Sequence, residues 1–78
     1  MWFVYILRCL DGDLYTGCTN NLDDRIIRHN KGYVDATKNR VPVDLICYTA
    51  FKNQDKAYAY EKYLKSGSGR AFKSKHLI

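Results

Sequence analysis

The sequence predicts an α+β fold of order ββαβαα, a three-stranded antiparallel sheet flanked by helices. Three observations carry this. Two short strand-like runs flank a turn signal at Asp11-Gly12, a third strand-like run follows a polar loop, and segments with helix-start signals sit between and after them. The chain has 78 residues, which predicts one domain over residues 1–78.

The first run, Trp2 to Arg8, is aromatic and β-branched and reads as a strand. Leu14 to Cys18 is a second apolar run, and with Asp11-Gly12 between them the two form a hairpin whose loop exceeds two residues. Thr19, Asn20 and Asn21 offer helix caps, and Asp23 and Asp24 follow in a first turn. Leu22 and Ile26 give that helix its stripe, and Lys31-Gly32 ends it. Residues 33 to 42 form a polar loop closed by Val41-Pro42. Val43 to Phe51 alternates imperfectly but reads as a third strand. Asn53 caps a second helix over residues 54–65, the Ser66-Gly67-Ser68-Gly69 break stops it, and Ser68 caps a last short helix.

Composition narrows the function classes. No apolar run is long enough to span a membrane, and the N-terminus does not read as a signal peptide. Cys9, Cys18 and Cys47 are odd in number and lack metal-ligand spacing, which predicts free thiols in a cytoplasmic protein rather than disulfides or zinc. The net charge is +5, from 13 Lys plus Arg against 8 acids. All the acids lie at or before Glu61, where basic residues balance them. Lys62, Lys65, Arg70, Lys73 and Lys75 follow with no acid. A one-signed stretch of this kind suits a polyanion, and a solvated helix face is the plainer alternative.

Several residues sit beside apolar stripes where charge is unusual. Glu61, the sole glutamate, falls about 40° from Ala57 on the second helix, at the border of its buried face. A carboxylate there is a candidate metal ligand or general base, and spacing alone favours a plain ion pair with Lys65. On the first helix Arg25 and His29 stack one turn apart beside the Leu22–Ile26 stripe. The arginine fork suits phosphate oxygens and the imidazole moves protons near neutral pH. The alternative is an ion pair from Arg25 to Asp24 or Glu61, with His29 half-buried as packing. Tyr5 and Tyr15 lie on the hairpin strands, where tyrosine more often serves the core or its rim.

Taken in order, Val4-Tyr5-Ile6, Tyr15-Thr16-Gly17, Arg25 with His29, and Glu61 on a later helix resemble the GIY-YIG nuclease family, in particular its small excinuclease C-type and YhbQ-like members. The resemblance spans essentially the whole chain and includes the stretch from Glu61 to Arg70. It implies a metal-dependent endonuclease that hydrolyses DNA phosphodiester bonds with little sequence specificity, either unselective or selective for branched or nicked structures of the kind met in DNA repair. It implies one divalent cation, Mg²⁺ or Mn²⁺, on Glu61, and Arg25 on the scissile phosphate. The proton acceptor is left open among Tyr5, Tyr15 and His29. Gly17 fits a place where backbone approaches phosphate or metal, and Lys38, Arg40, Lys65, Arg70, Lys73 and Lys75 are candidate backbone contacts. No membrane and no small-molecule cofactor is implied. The alternative is a non-catalytic nucleic-acid binding module on the same fold. The sequence departs from the family at Val4, at Thr16, at Cys18 where related members carry lysine, and in having no asparagine after Glu61, where Ser74 or His76 is the nearest substitute.

Overall fold

The computed structural model describes residues 1–78. Strand β1 (Trp2–Arg8) lies between β2 (Leu14–Thr19) and β3 (Asp44–Phe51), antiparallel to both, so the sheet order is β2-β1-β3. Helix α1 (Leu22–Asn30) joins β2 to β3, and α2 (Gln54–Leu64) and α3 (Gly67–His76) follow β3. This is the ββαβαα order and antiparallel sheet that the sequence predicts.

The central strand explains its own composition. Successive side chains of a strand point to opposite faces, so a strand covered on both reads as a continuous apolar run. Val4 and Ile6 pack with Ala57 and Leu64 beneath α2 and α3, while Tyr5 and Leu7 pack with Cys9, Val43 and the α1 residues Leu22 and Ile26. Two small cores therefore share β1 between them.

The turns follow their residues. Gly12 takes a left-handed φ of +86°, and the Asp13 N–H donates to the Asp11 carboxylate at 3.0 Å, closing the hairpin loop. Of the three cap candidates before α1, Asn21 is used: its side chain accepts the Asp24 N–H at 3.1 Å. Asn53 does the same for α2, from Lys56 at 3.0 Å.

Two details depart from the sequence reading. The imperfect alternation of β3 is a bulge: Ile6 faces Cys47 but Leu7 faces Leu45, so Ile46 is an extra residue that shifts the pattern by one. The last helix starts two residues earlier than expected. Ser66, not Ser68, is its cap, accepting the Gly69 N–H at 3.1 Å, and Gly67 to Gly69 form the first helical turn. Packing overrides the poor helix propensity of glycine here. A side chain on buried Gly69 would run into the Tyr63 carbonyl, so the close α2–α3 corner requires a residue without one.

Candidate active site

The strand register sets out the site. Tyr5 pairs with Gly17 and Leu7 with Tyr15, so both tyrosines occupy the α1 face of the hairpin, on diagonal positions. Their ring centroids lie 6.2 Å apart. A Cβ built on Gly17 would sit 2.5 Å from the Tyr5 hydroxyl and 2.9 Å from the Tyr15 ring, so the close approach that glycine permits here is the Tyr5 phenol. Gly17→Ala is expected to displace Tyr5 and cost about 1–3 kcal/mol, because both rings are held by neighbours. A denaturant midpoint equal to that of the wild type would show that the phenol has room to move.

Helix α1 supplies the next layer. His29 is fully buried rather than half-buried packing, and its two ring nitrogens are both engaged. Nε2 lies 2.9 Å from the Tyr5 hydroxyl, and Nδ1 lies 2.7 Å from the hydroxyl of Thr37, itself fully buried. The His29 ring stands edge-on to Tyr15 at 5.1 Å. Thr37 comes from the polar loop 33–42 and carries no signal in the sequence; only the chain path brings it under α1. Arg25, one turn before His29, is half-buried and forms no ion pair with Asp24 or Glu61.

Electrostatics separates these groups. Burial pushes the Tyr5 phenol up to about 12, with the nearby Tyr15 adding to the shift, the positive charge of Arg25 opposing it and Glu61 adding a smaller rise. His29 is held below its ordinary value by burial first and by Arg25 second, so it stays neutral at neutral pH. Tyr5, His29 and Thr37 thus form a neutral, sealed row. Among half-buried polar side chains, Tyr15 packs against this row and the charges of Arg25 and Glu61 act on it.

Glu61 reaches this region from α2. Its negative charge is felt at both the Tyr5 phenol and the Cys18 thiol, and burial is the larger cause of the rise at each. Its carboxylate forms the i,i+4 ion pair with Lys65, at 3.0 Å. No group of three or more His, Cys, Asp or Glu side chains comes together anywhere in the chain. One carboxylate oxygen donor suits a hard cation that keeps most of its waters, as Mg²⁺ does, and does not suit zinc. Glu61 is therefore the residue that would hold such a cation, in competition with Lys65.

The basic residues divide. Lys65, Arg70 and Lys73 line an open groove of about 580 Å³ together with Tyr15, Thr16, Ser74 and one acid, Asp13, which is paired with Arg40. The Lys73 ammonium reaches the Thr16 hydroxyl at 3.4 Å. Lys75 is exposed but does not line this groove, and His76 packs on Phe72 at 5.0 Å. Lys38 is exposed in the 33–42 loop, 3.7 Å from Asp35. Arg40 is committed within the molecule: it donates to Asp13 at 2.9 Å and to the Ala36 carbonyl at 2.8 Å, tying the loop to the hairpin turn.

Comparison with known proteins identifies the family and the fold. The family model described as the GIY-YIG catalytic domain matches residues 1–75. A UPF0213 protein of Clostridium perfringens is 47% identical over 66 residues, covering 83% of this chain and 71% of that protein. A UPF0213 protein of Pediococcus acidilactici is 42% identical over 80 residues, covering 97% and 80%. The solution NMR structure of a UPF0213 protein from Bacillus halodurans superposes with a TM-score of 0.60 at 36% identity, covering 96% of this chain and 82% of that one.

Proposed function

This chain belongs to the GIY-YIG catalytic-domain family, a family of nucleases, and from that premise we propose that it is a divalent-metal-dependent endonuclease acting on DNA with little sequence specificity. One observation carries the reading beyond the family. The half-buried members of the site, Tyr15, Arg25 and Glu61, flank the sealed Tyr5–His29 pair, and Tyr15 opens onto a groove lined by three cations.

The chain's own residues divide the work. Lys65, Arg70 and Lys73 take backbone phosphates along the groove, which positions a strand without reading its bases. Arg25 donates its planar fork to the scissile phosphate, where negative charge grows as the reaction proceeds. Water attacks phosphorus in line as the bond to the 3′ oxygen breaks. Exposure favours Tyr15 as the relay for the water's proton, its phenol oxygen taking that proton as its own O–H proton passes to bulk water, because Tyr5 and His29 are sealed from solvent. Glu61 would hold a divalent cation such as Mg²⁺ or Mn²⁺, which when bound would supply positive charge to the phosphate. Free thiols at Cys9, Cys18 and Cys47 support a cytoplasmic setting.

The test is cleavage of single-stranded, duplex, nicked and branched DNA with Mg²⁺ or Mn²⁺ and then with EDTA. Cutting that needs the metal supports the reading; binding without cutting in any metal favours a non-catalytic module. Salt tests the groove separately. Replacing Lys65, Arg70 and Lys73 by glutamine should flatten the plot of log affinity against log salt by roughly 2–3, about 0.9 for each phosphate no longer neutralised. An unchanged slope would place the backbone path elsewhere.

A further inference from the structure

Thr37 has no task in the reaction above, yet it is among the most tightly held residues of the chain. Its N–H donates to the Val34 carbonyl at 3.0 Å and its own carbonyl accepts the Arg40 N–H at 2.9 Å. Its hydroxyl has one partner, His29 Nδ1 at 2.7 Å, and His29 Nε2 has one, the Tyr5 hydroxyl at 2.9 Å. Three side chains from a loop, a helix and a strand thus form a single row, with each residue fully buried.

Such a row has a direction. A neutral imidazole carries one N–H, on either nitrogen. With the proton on Nδ1, His29 donates to Thr37, the Tyr5 O–H donates to Nε2, and the hydroxyl proton of Thr37 points out of the row. With the proton on Nε2, His29 donates to Tyr5 and the phenol's own proton must point out of the row. Outside the row at that end stands Arg25, one turn before His29 on α1 and close enough for its charge to act on the phenol. A hydroxyl proton turned toward a guanidinium is repelled, and an oxygen lone pair is attracted. Each direction leaves one hydroxyl proton outside the row, at Thr37 or at Tyr5, and only the Tyr5 end feels the charge of Arg25, which favours the first direction.

We propose that Thr37 is a positioning residue of this site: by accepting the Nδ1 proton of His29 it fixes the ring so that Tyr5 donates to Nε2 and presents its lone pairs to Arg25, steadying the guanidinium that receives phosphate. Only the last of these steps rests on the nuclease reading.

The tautomer is read without substrate, by ¹⁵N–¹H NMR of the imidazole in the whole protein at a pH where His29 is neutral. The expected result is a single Nδ1–H form, and an Nε2–H form overturns the proposal. Thr37→Val, close in shape but without the hydroxyl, should lose the single tautomer. It should also lower kcat with KM unchanged, on the order of 10–100-fold, the scale of loss when a group that holds the reacting phosphate is slightly misplaced. Thr37→Ser should restore both. If Thr37→Val keeps tautomer and kcat, Thr37 positions nothing. If Thr37→Val does not fold, the tautomer in the wild type and in Thr37→Ser decides the question. Absence of nuclease activity in every metal would refute the reaction, and the tautomer would still decide the direction of the row.

Discussion

Glu61→Gln is expected to remove metal-dependent cleavage while DNA binding persists. Glutamine keeps the size of the side chain and one carbonyl oxygen, but loses the charge that would attract a cation. Glu61 is the carboxylate whose charge reaches the Tyr5 phenol, and no cluster of three ligating side chains stands by to replace it. A cation polarising a phosphoryl oxygen is worth several kcal/mol of transition-state stabilisation, so the loss in kcat should be on the order of 100-fold or more. Binding should hold, because the cations of the groove are untouched. It should even strengthen slightly, since Lys65 is released from its 3.0 Å ion pair with Glu61. The fold should survive, as that pair is partly exposed on Glu61 and more exposed on Lys65, the kind of interaction that contributes little. Equal cleavage by wild type and Glu61→Gln in Mg²⁺, with EDTA without effect on either, would end the metal reading.

Arg25→Ala carries the second large effect. A preorganised donor aimed at developing charge typically contributes about 10²–10³ in kcat when removed singly, and Arg25 is the cation whose charge acts on the Tyr5 phenol. Arg25 makes no ion pair in the molecule, so its replacement strands no opposite charge, and losing its interaction with the Tyr5 oxygen should lower the thermal midpoint only modestly. Arg25→Lys separates charge from shape. If the planar fork matters, lysine recovers binding better than turnover, because it offers a point charge without bidentate geometry. Full turnover with lysine would mean that charge alone suffices there. The measurement is single-turnover cleavage at saturating protein, which keeps binding out of the rate.

Much of the fold is legible because its signals are local. Asn21 and Asn53 cap the helices that follow them, and Gly12 turns the hairpin with a positive φ. Helical spacing puts Arg25 and His29 on one side of α1, where the structure has them next to Tyr5. What stays hidden depends on contacts distant in sequence. The bulge at Ile46 exists only against Ile6 and Leu7, so β3 alone looks merely irregular. The pair of glycines after Ser66 reads as a helix break until the α2–α3 corner shows why Gly69 must be bare. Arg40 looks like a free cation, but its partner Asp13 lies 27 residues away. Thr37 is one threonine in a polar loop, and nothing nearby marks it as the neighbour of a histidine eight residues earlier. On paper the proton acceptor stays open among Tyr5, Tyr15 and His29, with the imidazole the readier base near neutral pH. Burial distinguishes them, and burial is a property of the assembled chain.

Strand β1 belongs to both cores, with Val4 and Ile6 on one side and Tyr5 and Leu7 on the other. No subset of the molecule can therefore keep one core while the other dissolves, since loosening this strand opens both together. Partly ordered states that release β1 cannot preserve a working centre, so folding of this strand and competence are one cooperative event. The fraction of molecules able to act then equals the fraction folded. In so small a chain, where folded structure holds by a narrow margin, the surroundings of β1 govern how much competent protein exists as much as how fast each molecule works.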